Sequence, residues 1–140
     1  LKGDPITIYG DGTQTRSFCY ADDLVAGMIA MMESEPGFAG PVNVGNPDEL
    51  SIRELAGLML EIAGEFPEYH GGAKQVEIID VDSGKYYGEG YQDIQTRVPW
   101  IENTKQELDW APQVNVRDAL RNIFDAYRHE VADARALIDD

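Results

Sequence analysis

Ile6-Thr7-Ile8-Tyr9-Gly10-Asp11-Gly12-Thr13-Gln14-Thr15-Arg16-Ser17-Phe18-Cys19-Tyr20-Ala21-Asp22-Asp23-Leu24-Val25 changes its residue pattern three times in twenty positions. The β-branched and aromatic run Ile6 to Tyr9 reads as a strand, and Gly10-Asp11-Gly12 as its closing turn. Arg16 to Tyr20 is a second extended piece. Asp22 or Asp23 then offers an N-cap for a helix whose apolar positions are Leu24, Val25, Met28, Met31 and Met32. Their spacing marks one face, expected to lie in the core. Pro36-Gly37 ends that helix.

Downstream, short strands and helices keep alternating. Val42-Asn43-Val44-Gly45 reads as a third strand, followed by turn chemistry at Asn46-Pro47. Ser51-Ile52-Arg53-Glu54 is a capping box, and the helix behind it sets Ile52, Leu55, Ala56, Met59, Ile62 and Ala63 on one side. Residues 65–74 read as a loop holding His70, and Val76 to Ile79 as a strand. Asn103 caps a short helix from Thr104 to Leu108. Trp110-Ala111-Pro112 is an extended link whose indole anchors packing. Asn115 caps a last helix with Val116, Ala119, Leu120, Ile123, Phe124 and Tyr127 facing inward. The expected fold class is an α/β (α+β-like) lobe of short strands with about four helices.

With 140 residues, 43 % hydrophobic and 26 % charged, the chain suits one domain with a modest core. Its 11 Lys and Arg against 26 Asp and Glu give a net charge of -15, which argues against nucleic acid and against anionic membrane surfaces. The acidic end at Asp133, Asp139 and Asp140 reads as a solvated tail. One cysteine, Cys19, excludes an internal disulfide, suits a small buried apolar role and fits a reducing, cytoplasmic setting. No apolar run reaches the roughly 20 residues that span a bilayer. The opening Leu1-Lys2-Gly3-Asp4-Pro5 shows neither a signal peptide nor an initiator Met, and suggests a piece of something longer.

Catalytic motifs are scarce. Gly10-Asp11-Gly12 and Gly88-Glu89-Gly90 lack the strand-to-helix setting and spacing of a dinucleotide-binding turn. His70 and His129 lie far apart, and no CxxC or HxxxH pair supports a metal. Tyr86-Tyr87-Gly88-Glu89-Gly90-Tyr91-Gln92-Asp93-Ile94-Gln95-Thr96-Arg97 is different. It packs three tyrosines, two glycines and one arginine into twelve residues without helical or strand period. A loop that dense in aromatic and guanidinium groups reads as a ligand contact. In so acidic a chain, an anionic ligand has to be captured by a few placed cations, and Arg97 is the first candidate. The alternative is a surface arginine paired with Asp93 or Glu102. Tyr91 reads as a ligand contact or a loop anchor, Tyr86 and Tyr87 as packing residues with Tyr87 a further ligand candidate.

The stretch Tyr9 to Gly27, the pair Val42–Pro47 and Ser51–Ala56, and Leu108-Asp109-Trp110-Ala111-Pro112 together resemble the extended short-chain dehydrogenases (NAD-dependent epimerase/dehydratase family) that act on nucleotide sugars. Each is degenerate alone; three in order are specific. The Tyr86 to Arg97 segment is most similar to the UDP-glucuronic acid decarboxylases of that family, including the decarboxylase domain of bifunctional polymyxin-resistance proteins.

That resemblance implies a lyase that uses NAD to oxidise the sugar C4 and then loses carbon dioxide. It implies that Arg97 meets the uronate carboxylate, with an assigned part in catalysis, and that Tyr91 lines the sugar-nucleotide pocket. It implies Arg16 facing the nucleotide phosphates; the residues alone equally allow an arginine holding the Asp22-Asp23 turn. The family's NAD site and its Tyr-x-x-x-Lys pair lie in an N-terminal Rossmann lobe, and neither Tyr86 nor Tyr87 has a Lys four residues on. Residues 1–140 are therefore expected to be the C-terminal, UDP-sugar-binding lobe, inactive alone, with the Rossmann lobe as its partner and homo-oligomerisation open. Two alternatives stand beside that reading. One is the same lobe of a nucleotide-sugar 4-epimerase or 4,6-dehydratase, which has no carboxylate to hold. The other is a non-catalytic acidic interaction module of this fold.

Overall fold

The computed structural model describes residues 3–82, Gly84, Tyr86 and 94–138. Strand β1 (Ile6–Tyr9) pairs in parallel with β4 (Ile78–Val81), with Ile6 opposite Ile78 and Tyr9 opposite Val81. Strand β2 (Thr15–Ser17) pairs antiparallel with β3 (Glu49–Ser51), Arg16 lying opposite Leu50. The described helices are α1 (Ala21–Met32), α2 (Ile52–Ala63), α3 (Pro67–Ala73), α4 (Glu102–Leu108), α5 (Val116–Tyr127) and α6 (Val131–Ile138). A 3-10 turn over Arg128–Glu130 joins the last two. The expected mixed α/β class holds, with six α-helices among the described residues instead of about four. None of these helices is long and apolar enough to cross a membrane.

Two helices start where the sequence says they do, because their caps are local. Ser51 accepts from the Glu54 amide while Glu54 reaches back to the Ser51 amide at 2.9 Å, a closed capping box. Asn115 accepts from the Asp118 amide at 2.9 Å. Helix α2 then packs along α5, and Arg117 to Glu61 and Arg121 to Glu65 bridge the exposed side of that contact. Phe66, Tyr69 and Phe124 close its end, with Tyr69 and Phe124 ring centres 5.0 Å apart and the Tyr69 hydroxyl donating to the Phe124 carbonyl.

Elsewhere tertiary bonds override local signals. Residues 67–73 form α3 instead of a loop: Pro67 presets the first turn, and Tyr69 seats on Phe124, outweighing the weak helix propensity of Gly71-Gly72. His70 donates from Nδ1 to the Gly64 carbonyl across that corner. The Val42–Val44 strand does not form, because Asn43 spends its polar groups on side-chain bonds. Its backbone carbonyl accepts from the Thr104 hydroxyl at 2.6 Å, and its side-chain Nδ2 donates to the Trp100 carbonyl at 2.9 Å. Helix α4 begins at Glu102 with Ile101 in the N-cap position, two residues before the expected Asn103 cap and Thr104 start, and is followed by Asp109 in a left-handed conformation (φ 49°). The expected acidic tail begins as α6, whose Val131 is buried.

Helix α1 is the largest correction. Tyr20, not an aspartate, occupies its N-cap position, and Asp23 is only 6 % exposed. The Asp23 carboxylate accepts from the Gln113 and Val114 amides at 3.1 and 2.9 Å, and its carbonyl accepts from the Trp110 indole at 3.1 Å. Gly27, one turn on, lets Val44 and Trp110 approach so closely that a Cβ there would stand 2.5 Å from the valine. The stripe through Asp23 and Gly27 thus faces the protein. The apolar set Leu24, Val25, Met28, Ile29 and Met32 is turned outward, 41–84 % exposed. Cys19 is half-buried, and burial, helped by the Asp23 charge, pushes its thiol above the usual range.

Asp23→Ala leaves two half-buried amide bonds without their acceptor and should cost about 1–3 kcal/mol in urea unfolding; a loss below about 0.5 kcal/mol would mean that water replaces the carboxylate. The outward flank of α1 should bind a hydrophobic dye and drive association in sedimentation, and Met28→Lys should reduce both. A dye-negative monomer at all concentrations would show the flank to be inert.

Candidate functional site

Strand β2 carries the site. One edge pairs with β3, and the other is taken by residues 94–97. The Thr15 amide donates to the Gln95 carbonyl at 2.8 Å, and the Ser17 hydroxyl to the Arg97 carbonyl at 3.3 Å. Arg16 Nη1 donates to the Ile94 and Thr15 carbonyls, both at 2.7 Å. The two arginines singled out from sequence, 81 positions apart by their numbers, therefore sit on neighbouring segments. Tyr91 and Tyr87 lie outside the described residues. Tyr86 stacks its ring on Tyr9 with centres 4.4 Å apart, as a packing residue would, and is 64 % exposed.

The cations of this chain are mostly spent on the chain itself. Arg53, Lys105, Arg117, Arg121 and Arg128 each hold a carboxylate, and Arg135 donates to the Glu68 carbonyl. Arg16 holds backbone carbonyls of the site itself. Among the described Lys and Arg, only Lys74 and Arg97 have no hydrogen bond or ion pair from the side-chain cation, and both are exposed. Glu102, a sequence candidate for pairing with Arg97, bonds Lys105 at 2.7 Å instead. Arg97 thus offers a free guanidinium fork, suited to two parallel bonds with a carboxylate or phosphate.

The turn leading into β2 is built for tight approach. Gly10 and Gly12 take φ values of 88° and 72°, and a Cβ on Gly12 would stand 2.9 Å from Ile8 Cγ2. The Thr13 hydroxyl and amide both donate to the Asp11 carboxylate, at 2.7 and 2.9 Å, and hold it below the usual carboxylate range. Arg53, which the sequence shows only as the interior of a capping box, closes this turn from α2. Its Nε and Nη2 donate to the Asp11 carbonyl at 3.0 and 2.9 Å. Its amide donates to the Gly12 carbonyl at 3.1 Å, and Nη2 also pairs with Asp80 on β4. The signal for it is spatial, since Asp11 and Asp80 are 42 and 27 positions away. Asn46, expected as turn chemistry, is buried and accepts from the Asp48 amide.

Residues 1–45 match the NAD dependent epimerase/dehydratase family. UDP-glucuronic acid decarboxylase 1 of Arabidopsis thaliana is 33 % identical over 132 residues, a match of 94 % of this chain and 26 % of that protein. The crystal structure of PbgP3 from Burkholderia pseudomallei is 46 % identical with a TM-score of 0.80, over 97 % of this chain and 38 % of that one. A Bacillus cereus UDP-glucuronic acid 4-epimerase variant, crystallised with UDP-4-deoxy-4-fluoro-glucuronic acid and NAD, is 26 % identical with a TM-score of 0.70, over 91 % of this chain and 36 % of that one. In sequence and in fold, the chain belongs to the NAD dependent epimerase/dehydratase family, of whose compared members it spans roughly a quarter to two fifths.

Proposed function

We propose that these 140 residues are the sugar-nucleotide-binding lobe of an enzyme that oxidises and decarboxylates UDP-glucuronic acid, completed by an NAD-binding lobe outside them. The observation that carries this reading is Arg97, an unpaired, exposed guanidinium on the segment beside Arg16 in a chain of net charge -15. Bound NAD supplies the acceptor for the hydride that leaves C4. Oxidation at C4 turns the sugar acid into a β-keto acid, and breaking the C5–C6 bond then releases carbon dioxide and leaves the electron pair on the C4 carbonyl as an enolate. A proton returns to C5.

Arg97 is suited to holding the carboxylate, not to giving that proton, because a guanidinium stays charged across the working pH range. Its two-pronged grip on the carboxylate fixes the direction of the C5–C6 bond relative to the C4 carbonyl, the angle set by turning about C4–C5. Cleavage needs that bond aligned with the π system of the carbonyl. The charge moves from the carboxylate to the enolate oxygen during the step, so Arg97 acts by orienting the group more than by following the charge. Arg16, with Nη1 on the Ile94 carbonyl, fastens the Arg97 segment to β2 and sets its cationic head beside it, in keeping with a neighbouring diphosphate.

A second reading is uronate 4-epimerisation, favoured by the likeness to the Bacillus cereus enzyme. A carboxylate-holding arginine separates enzymes for sugar acids from those for neutral sugars. It does not separate decarboxylase from every epimerase, because that relative's substrate also carries a carboxylate. Holding C5–C6 in the plane of the carbonyl would preserve the acid; turning it out of plane would expel carbon dioxide.

This chain mixed with NAD and UDP-glucuronate should produce no NADH absorbance; turnover would overturn the placement of the NAD site elsewhere. By NMR titration it should prefer UDP-glucuronate to UDP-glucose. Arg97→Ala should reduce that preference about tenfold, and Arg97→Lys should recover only part of it. No shift at millimolar UDP-glucuronate would favour the acidic interaction module.

A further inference from the structure

We propose that Arg53 is a positioning residue for this site, a clamp that sets the spacing between the Arg16 strand and the Arg97 segment; the proposal rests on the function assigned above. Arg53 touches neither arginine. It lies in the first turn of α2, locked there by the Ser51–Glu54 box. From that fixed base its guanidinium reaches two chain segments. The Asp11 carbonyl belongs to the Gly10–Gly12 turn, which runs directly into β2 and Arg16. The Asp80 carboxylate belongs to β4, the strand from which the chain departs toward residues 94–97.

Both approaches to the site are thus referenced to one side chain. The turn needs such a reference because its two glycines, both with positive φ, impose little preference of their own. Arg53 also fills the space a Gly12 side chain would take: its Cβ lies 3.1 Å from that virtual atom. A planar fork can hold the Asp11 carbonyl through Nε and Nη2 while Nη2 also meets Asp80. A lysine ammonium in the same place can keep the ion pair but not the fork.

Arg117 is the matched control. It is a similarly exposed arginine on α5, paired with Glu61 of α2, the helix that carries Arg53, and it makes no bond to the turn. The experiment compares the unmodified chain with Arg53→Ala, Arg53→Lys and Arg117→Ala by three measurements. These are thermal unfolding, hydrogen exchange of the Thr15 amide, and titration with UDP-glucuronate and with UDP. Arg53→Ala should accelerate Thr15 exchange about tenfold and weaken UDP-glucuronate by a similar factor, more than it weakens UDP. Arg53→Lys should recover part of both. Arg117→Ala should lower the unfolding temperature about as much as Arg53→Ala and change neither readout.

Thr15 exchange unchanged in Arg53→Ala, or raised equally in Arg117→Ala, would overturn the clamp. If the unmodified chain binds no UDP-glucuronate, the functional reading fails, and Thr15 exchange still decides whether Arg53 sets the register of the two segments.

Discussion

Strand β2 is three residues long, and the site depends on its having both edges occupied. One edge is a regular antiparallel pair with β3, while the other takes residues 94–97 through the Thr15 amide, the Ser17 hydroxyl and the Arg16 guanidinium. An isolated two-stranded pair is marginal in water. The second neighbour, bonded largely by side chains, turns this pair into a platform and fixes the backbone beneath Arg97. Arg16 therefore has a structural task before any ligand arrives: it bonds the very segment whose arginine is free.

Charge scarcity gives that freedom its meaning. An acidic chain gains by pairing each cation internally, and nearly all the described ones are so paired, on the α2–α5 seam, within α4 and at the Gly10–Gly12 turn. Exposed pairs of this kind contribute little each, on the order of 0–1 kcal/mol. Leaving one guanidinium unpaired costs correspondingly little stability, while it preserves a strong donor set for a ligand anion. The NAD dependent epimerase/dehydratase fold supplies the scaffold; the unpaired fork is what the proposed reading rests on.

Local chemistry was legible in the sequence, and distant chemistry was not. Ser51, Glu54 and Asn115 act within three residues of themselves, so their helix starts could be read directly. Asp23 looked like a cap because caps are the commonest use of an aspartate before an apolar run. The real partners of its carboxylate are 90 and 91 positions away, and no local pattern announces them. The apolar positions of α1 had the spacing of a core face. Gly27 decides otherwise, since only the glycine side can meet Val44 and Trp110 at such short range. Arg97 and Arg16 were legible by residue type and resemblance. Their adjacency and the role of Arg53 required the fold, and Tyr87 and Tyr91 lie outside what the structure describes.

The remoteness of these partners also shapes how the molecule assembles. Thr15 and Gln95 are 80 positions apart, and Asp23 meets Val114 across 91. Closing such loops costs entropy before any bond returns it, and chains rich in distant pairings fold slowly. During synthesis, α2 can form as soon as its own residues leave the ribosome. Strand β2 must wait for residues 94–97 before its second edge is filled. The edge beside residues 94–97 is consequently among the later parts to mature, and a nascent chain halted near residue 90 would hold α2 but leave that edge of β2 open.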